Sequence, residues 1–450
     1  MPDNQGYLSG IRYLIHMGAP HEHTLPSPGN EIRFIHTADL HLGTPFTGIS
    51  KFSPEFGKIL ADATYQAFEE IVSLAIREQV SFLVISGDIY DSEERRIYGQ
   101  LVVRKQLQRL SDAGIRAYIV FGNHDPLNGW SAHISWPEGV HVMGGDAPEV
   151  AYFPSDDDRR AVIVGMSFAR KAISENLAIQ FPQKGRDWPV TIGLLHCTAG
   201  AGNGHEPYAP CSVQDLAASG YDYWALGHIH TPVVLRENQP AIIYSGNPQG
   251  RDFGECGPRG CYLVTLSGNG TGVHEFIETC QIRWEEHEIS IEGMEDTDAL
   301  ITAIEDAIAD IRENSGEKGT ICRFTLTGRG PVHAVLARDK ATDDILDAVR
   351  EGECPSPGFV LTEKLIDRTE HPFDRESVAC RTDIVGDIIQ ISDLLMQEGD
   401  TDTMQGALSE LYNNARMKRY LEELTGDDIG ALVREAETYL LDQLVGDDAE

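Results

Sequence analysis

Five short apolar runs constrain this chain more than any other feature, because each ends in residues that bind metals. They read FIHTADLHLG at 34–43, SFLVISGDIYD at 81–91, AYIVFGNHD at 117–125, TIGLLHCTAG at 191–200 and YWALGHIH at 223–230. Short apolar runs bounded by glycine predict strands of a covered sheet. Glycine lets the backbone turn sharply, so the polar residues are expected at one sheet edge. Five such ends predict a metal cluster rather than five unrelated turns.

The first run shows how two side chains could reach one ion. Asp39 and His41 are two residues apart after Phe34 and Ile35. Side chains at i and i+2 project the same way from an extended backbone. We therefore expect the carboxylate and the imidazole to point at one place. His228 and His230 repeat this spacing after a glycine.

The order of these motifs resembles that of the calcineurin-like metallophosphoesterases. It runs Asp-x-His, Gly-Asp, Gly-Asn-His-Asp, His and Gly-His-x-His. HTADLHLG, GDIYD, GNHD and GHIH together resemble the SbcD-type DNA repair nucleases. HEPYAPCS at 205–212 and SGNPQGRDFGECGPRGCYLV at 245–264 are similar to the YhaO branch of that family. The resemblance is strong over residues 31–280 and loose beyond them.

The resemblance implies an α/β fold of two packed mixed sheets flanked by helices, with two divalent metal ions. Asp39, His41, Asp88 and His230 would hold the first ion, and Asp88, Asn123, His196 and His228 the second. Asp88 is then the bridging carboxylate. Imidazole and carboxylate ligands suit Mn, Fe or Zn better than Mg or Ca, and Mn is expected. Such ions polarise a phosphodiester and activate water for in-line attack.

The resemblance also suggests roles for residues beside the ligands. His124 is the expected catalytic residue, protonating the leaving 3′ oxygen or stabilising the phosphorane; packing beside the ligands is the alternative. Asp91 and Asp125 are expected to orient ligands without binding the ions. Substrate contact is a weaker hypothesis for four further residues, which could instead fold a loop or be ordinary surface charges: His205, Tyr208, Arg251 and Arg259.

The net charge of −35 is unusual for a protein that acts on DNA. Affinity for the phosphate backbone comes from Lys and Arg, which number 36 against 71 Asp and Glu. DNA binding requires that basic residues cluster near the cleft while acidic residues cover the rest. The candidates, each of which could also be an ordinary surface charge, are Arg170, Lys171, Lys184, Arg186, Arg251 and Arg259.

At 450 residues the chain is too long for one ordinary core, and we predict four segments. Residues 1–30 are expected to be a disordered extension and residues 31–283 the nuclease domain. Residues 284–380 are expected to form an α/β capping domain, and residues 381–450 a helical segment that binds a partner. Helices are predicted at 61–78, at 96–113 with Ile97, Leu101 and Leu110 buried, and from about 297 with Asp296 as N-cap.

Composition points to a cytoplasmic protein. No apolar run approaches the ~20 residues that span a bilayer, and the N-terminus shows no export signal. Eight cysteines without a Cys-x-x-Cys pair favour reduced thiols and argue against a zinc ribbon.

Three classes of function remain open. The first is a metal-dependent DNA nuclease for repair, acting on DNA ends as an exonuclease. The second is a small-molecule phosphodiesterase or phosphatase with the same metal core, and the third is a non-catalytic scaffold. The 170 residues after Cys280 favour the nuclease, since a small substrate does not require them, and the intact ligand set argues against a scaffold.

The expected partners are DNA and a separate ATPase. The chain has no G-x-x-x-x-G-K-[ST] loop, so it does not bind ATP in the P-loop manner. The resembled nucleases work with an SMC-like ATPase of SbcC or YhaN type, and we expect it to dock on the C-terminal helices. A homodimer is left open.

Overall fold

The computed structural model describes residues 31–44, 54–91, 97–129, 134–155, 157–200, 208–370, 375–398 and 426–445. The predicted disordered extension at 1–30 lies outside these ranges, as does His205. The chain forms two compact units. The first comprises the described residues up to Glu286, with Ile311–Cys322 and Glu353–Leu361; the second comprises His287–Asp310, Arg323–Gly352 and the described residues from Thr362 onward. The predicted four-segment division stays a prediction.

Two six-stranded mixed sheets form the first unit. Their strands are β1 (Ile32–Thr37), β2 (Phe82–Ser86), β3 (Arg116–Val120), β4 (Val140–Val142), β5 (Glu149–Pro154), β6 (Arg159–Met166), β7 (Val190–His196), β8 (Tyr223–Gly227), β9 (Val233–Arg236), β10 (Ala241–Tyr244), β11 (Gly260–Leu266) and β12 (Gly272–Glu278). The first sheet has the order β12-β11-β1-β2-β3-β4, and the second β5-β6-β7-β8-β10-β9. In the first sheet β1 to β4 are parallel, and in the second β6, β7, β8 and β10 are.

The apolar runs are continuous because both faces of each central strand are buried. Phe34 and Phe82 face the layer between the two sheets, where their rings stack with centroids 5.2 Å apart. The next residues along each strand, Ile35 and Leu83, face the opposite side and pack among the helical side chains. This alternation is the two-residue period of a strand. The two mixed sheets flanked by helices confirm the predicted fold class.

The helices of the first unit agree with prediction in position but not everywhere in the buried face. They are α1 (Pro54–Arg77), α2 (Ile97–Asp112) and the short α3 (Val213–Ala218). In α2, Leu110 is buried as expected, but Ile97 and Leu101 are 56% and 48% exposed. Val103 and Leu107 are buried instead. The prediction was wrong here because Val103, Leu107 and Leu110, at i, i+4 and i+7, form the buried stripe. Ile97 and Leu101 lie on another side of the helix.

The remaining elements follow Cys280. Strands β13 (Ile282–Ser290), β14 (Gly319–Thr327) and β15 (Val360–Asp367) form a third sheet in that order. The helices are α4 (Thr297–Ser315), α5 (His333–Leu336), α6 (Ala341–Arg350), α7 (Arg375–Ala379), α8 (Ile384–Glu398) and α9 (Gly426–Val445). Asp296 caps α4 as predicted, since its carboxylate accepts the backbone N–H of Ala299 at 2.9 Å. Within the described ranges, no helix is long and apolar enough to cross a membrane.

Candidate metal centre

The site lies where parallel strands of both sheets end. The first sheet contributes the segments after β1, β2 and β3, and the second contributes the end of β7 and the segment after β8. The carboxyl ends of neighbouring parallel strands lie at the same edge of a sheet. The contacts among these segments bring together every ligand that the sequence predicts: Asp39, His41, Asp88, Asn123, His196, His228 and His230. The backbone N–H of His228 donates to Asp39, and the centroid of its ring lies 5.3 Å from that of His196.

The backbone that carries Asp39 and His41 is not extended, contrary to our expectation. Strand β1 ends at Thr37, and the two residues adopt φ of 53° and 43°. Asp88 and His228 also have positive φ, at 50° and 100°. Backbone hydrogen bonds of 3.0 Å, from Asp39 N–H to Gly87 and from His41 N–H to Asp88, hold the turn. Such strain in non-glycine residues is typical of functional sites.

Two glycines allow the ligands to approach closely because they lack a Cβ. A Cβ on Gly122 would lie 2.2 Å from Asp88 Oδ1 and 2.8 Å from the ring of His196. A Cβ on Gly87 would lie 2.4 Å from Nδ1 of His196. Gly87 has φ of +97°, so it also supplies the expected sharp turn. Gly122 has no positive φ, and its role is close approach alone.

The donor atoms converge in two neighbouring groups. The Nε2 atoms of His41 and His230 lie 3.1 Å apart. Nε2 of His196 lies 2.9 Å from Asn123 Oδ1. Asp88 stands between these groups, with Oδ2 at 3.9 Å from His41 Nε2 and 3.4 Å from His196 Nε2. This is the position expected of a bridging carboxylate.

Burial sets the charge states of these groups. Burial lowers the pKa of His41 to about 3, so its imidazole is neutral and able to bind a metal. Burial lowers the pKa of an imidazole at His196 as well, but the carboxylates of Asp88 and Asp39 raise the pKa of His196 to about 9. Burial raises the pKa of Asp39. A positive charge beside the buried Asp39 and Asp88, whether a protonated His196 or a bound ion, would favour their ionised forms.

The residues fit divalent metal ions. Donor atoms of Asp39, His41 and His230 lie within 4.8 Å of one another, as do those of Asp39, Asp88 and His196. Imidazole nitrogen and carboxylate oxygen are ligands of Mn, Fe and Zn. Positive ions would neutralise the buried carboxylates.

His124 lies against this cluster. Its backbone N–H donates to Asp88 Oδ1 at 2.9 Å, and its ring lies edge-on to that of His41 with centroids 4.9 Å apart. Its Nδ1 is 2.8 Å from the carbonyl oxygen of Asp91. A carbonyl oxygen only accepts, so Nδ1 carries a proton and donates it there. Nε2 is then the atom left for substrate.

Asp91 and Asp125 both support the site. Asp91 Oδ1 lies 3.4 Å from His41 Nδ1. The buried carboxylate of Asp125 accepts three backbone N–H groups, from Ile89 at 2.7 Å, Tyr90 at 3.3 Å and Gly122 at 2.8 Å. It therefore joins the segments that follow β2 and β3.

The predicted substrate-contacting residues fall into different environments. The ring of Tyr208 lies 5.3 Å from that of His228, beside the cluster. Arg251 binds Glu255 and Asp91. Arg259 is only 4% exposed and donates to the carbonyl oxygens of His230, Glu255 and Cys256. Substrate contact by these residues stays a prediction, and the contacts of Arg259 favour a structural role.

Sequence reasoning missed Glu255, which accepts a hydrogen bond from His230 Nδ1 at 2.6 Å. It also missed the buried Asn247, whose amide donates to Glu255 Oε2 at 2.7 Å. Both residues lie in the string SGNPQGRDFGECG. That string was used only for the resemblance to the YhaO branch. It contained the two residues, but no role was assigned to them.

Comparison with known proteins agrees with this geometry. The calcineurin-like phosphoesterase family model matches residues 32–232, and the model for the middle domain of metallophosphoesterase YhaO matches residues 284–370. The chain is 34% identical over 416 residues to the uncharacterized metallophosphoesterase YhaO of Bacillus subtilis (strain 168), covering 92% of this chain and 98% of that protein. The chain belongs to the YhaO family of calcineurin-like metallophosphoesterases.

A nuclease subunit and a DNA repair protein are among the more distant relatives of this YhaO family member. The SbcD component of the nuclease SbcCD of Bacillus subtilis is 26% identical over 259 residues, which are 50% of this chain and 64% of that protein. The DNA double-strand break repair protein Mre11 of Haloferax volcanii is 26% identical over 258 residues, which are 54% of this chain and 51% of that protein. Family membership and the donor set together make the chain a metal-dependent phosphoesterase.

Proposed function

We propose that the chain is a two-ion DNA nuclease that hydrolyses phosphodiester bonds at DNA ends in repair. The observation that carries the proposal is the convergence of the seven predicted metal ligands, with His124 beside them. The names of two relatives, a nuclease component and a double-strand break repair protein, support DNA as the substrate. Mn is the proposed metal, with Fe or Zn as alternatives.

The chain's own residues position the reaction. Bound ions would supply charge stabilisation for the phosphodiester and an activated water. The carbonyl of Asp91 holds the His124 ring through Nδ1–H. When the ring also carries a proton on Nε2, that N–H can give the proton to the leaving 3′ oxygen or donate a hydrogen bond to the developing charge. Asp125 keeps the segments of Asp88 and His124 in register through three backbone hydrogen bonds.

A small-molecule phosphodiesterase is the second candidate, and the state of the basic side chains favours it. Arg170 pairs with Glu175, and Lys184 pairs with Asp222 at 2.5 Å. A basic side chain neutralised by a carboxylate contributes less to phosphate binding. With a net charge of −35, the affinity for DNA should therefore be low and should fall only gently with salt, since few phosphates would be neutralised.

The deciding experiment compares two substrates in Mn²⁺ at several salt concentrations: linear duplex DNA and bis-p-nitrophenyl phosphate. The wild type is assayed beside Asp88→Ala and His124→Ala. His274→Ala on the edge strand β12, where the imidazole pairs with Glu237, is the matched control. Loss of DNA cleavage in the two site variants alone would support the nuclease. Hydrolysis of the small diester without cleavage of DNA at any salt would favour the second candidate.

We further propose that an SMC-like ATPase docks on the C-terminal helices. Helices α8 and α9 pack together through Val385, Ile389 and Leu441. Their exposed apolar residues follow helical spacing and give each helix an outward stripe: Ile384, Ile391 and Leu394 on α8, and Leu432, Tyr439 and Leu440 on α9. Large exposed apolar patches mark protein interfaces.

Deletion of residues 385–450 tests the docking site. Cleavage of short DNA should persist, and binding of the ATPase should be lost. Co-purification of the truncated chain with the ATPase would contradict the proposal. The cytoplasmic location remains a prediction alongside it, and a homodimer remains open.

A further inference from the structure

The two imidazoles of the first proposed ion are each backed by a carboxylate. His230 Nδ1 lies 2.6 Å from Glu255 Oε1, and His41 Nδ1 lies 3.4 Å from Asp91 Oδ1. In both rings Nδ1 faces the carboxylate while Nε2 faces the other ring, 3.1 Å away. Each carboxylate therefore contacts its ring on the side opposite Nε2, the nitrogen that would bind the ion.

One guanidinium joins these carboxylates. Arg251 Nη2 donates to Glu255 Oε1 at 2.8 Å, and Arg251 Nη1 donates to Asp91 Oδ1 at 3.3 Å. Arg251 is 18% exposed, so this bridge is largely shielded from water. The planar fork of arginine can hold two carboxylates at once in fixed directions, which a lysine ammonium on a flexible stem cannot.

Glu255 is itself held rigidly. Its Oε2 accepts from the amide of Asn247 at 2.7 Å and from the backbone N–H of Arg251 at 2.8 Å. The guanidinium of Arg259 donates to Asn247 Oδ1 at 3.2 Å, so the amide nitrogen must face Glu255.

We propose that Arg251 is a positioning residue that, through Glu255 and Asp91, fixes His230 and His41 so that both Nε2 atoms point at one metal ion. Both oxygens of Glu255 accept hydrogen bonds, from Arg251 and from Asn247. Arg251 Nη2 lies 3.0 Å from His230 Nδ1 but donates to Glu255, and the shorter 2.6 Å contact between His230 Nδ1 and Glu255 assigns the ring proton to Nδ1 and the free electron pair to Nε2. This assignment replaces substrate contact as the main role of Arg251. It rests on the proposed two-ion site.

The test measures metal binding directly. The full chain, stripped of metal by a chelator, is titrated with MnCl₂ by calorimetry, and the Mn²⁺ electron paramagnetic resonance spectrum is recorded for coupling between two ions. The variants are Arg251→Met, Arg251→Lys and Glu255→Gln. Arg283→Met is the matched control, since Arg283 is 19% exposed and pairs with Glu278 at 2.7 Å in the same unit.

We expect one of the two Mn²⁺ sites to weaken by about 10- to 100-fold in Arg251→Met and Glu255→Gln, with loss of the coupled spectrum. Arg251→Lys should be intermediate, and Arg283→Met should match the wild type. Unchanged titration in Arg251→Met and Glu255→Gln would overturn the proposal. Equal weakening of both sites, with a lower unfolding temperature of the metal-free protein, would also overturn it by showing general structural damage.

DNA cleavage is assayed separately, so the two proposals can fail independently. A wild type that binds two ions but leaves DNA intact would refute the nuclease and leave the positioning role standing. An active wild type whose Arg251 variants bind both ions normally but bind DNA poorly would refute the positioning role and return Arg251 to substrate contact.

Discussion

Substitution of Gly122 by alanine should destroy the metal centre while leaving the fold intact. The new Cβ would lie 2.2 Å from Asp88 Oδ1, about 1.2 Å short of the 3.4 Å at which ordinary contact begins. The His196 ring, 2.8 Å away, also crowds the new methyl group. Asp88 must therefore shift by roughly 1 Å, whereas metal–ligand distances tolerate about 0.2 Å.

The expected result is a loss of Mn²⁺ affinity of at least about 100-fold at the ion or ions that Asp88 binds, because a displaced ligand costs more than a lost orienting contact. Titration calorimetry on the chelator-treated protein measures it. Gly99→Ala is the matched control: the new Cβ would lie 3.6 Å from Tyr65 Oη and 3.7 Å from the Tyr90 ring, which is ordinary contact. An alanine inside helix α2 should even stabilise the protein by about 0.5–1 kcal/mol.

The reasoning would be refuted by a Gly122→Ala protein that binds Mn²⁺ within threefold of the wild type. Such a result would mean that Asp88 and the ring of His196 can both move without cost to the ions. Loss of the circular dichroism signal in Gly122→Ala would also contradict the reasoning, which expects the fold to stay intact.

Three further predictions concern stability. Asp125→Asn should lower the free energy of unfolding by about 3 kcal/mol in urea, since an amide cannot accept all three backbone N–H groups; Asp187→Asn, at an exposed position, is the control, and an equal loss there would contradict the explanation. Burial lowers the pKa of His36 from 6.5 to about 3, so between these values the unfolded chain binds a proton that the folded chain does not. Stability should fall by up to about 1.4 kcal/mol per pH unit from this group as pH drops below 6.5, and His36→Gln should flatten the pH dependence of the unfolding temperature; an unchanged slope would refute the assignment. Removing metal with a chelator should lower the unfolding temperature, because Asp39 and Asp88 lose their compensating charge, and Mn²⁺ should restore it in calorimetric scans.

The sequence predicted the strands and the convergence of their ends well, because both depend on local pattern. A strand buried on both faces reads as a continuous apolar run, as in FLVIS of β2. The prediction was wrong where the backbone left regular structure. Spacing alone suggested an extended Asp39-x-His41, but contacts with Gly87 and Asp88, which are distant in sequence, hold these residues at positive φ.

Glu255 and the exposed face of α2 show a second limit of sequence reasoning. A glutamate in a polar string looks like any surface acid until the fold places it 2.6 Å from a histidine 25 residues away. In α2, the exposed face that carries Leu101 and the buried face both show apolar residues at helical spacing. Tertiary packing decides both the partner of Glu255 and the buried face of α2, and local sequence pattern does not reveal that packing.

The centre draws its donors from two separate sheets, and this makes a bound ion a removable cross-link. His41 follows β1 of the first sheet, and His230 follows β8 of the second, 189 residues later. An ion held by both closes a long loop in the chain, which stabilises most when the loop is long. Loosening of the layer between the sheets, where Phe34, Phe82 and Tyr223 meet, would release the ion. The amount of bound metal should then report how well the two sheets pack. A substitution in the core between the sheets, distant from the metal centre, would lower activity by lowering metal occupancy.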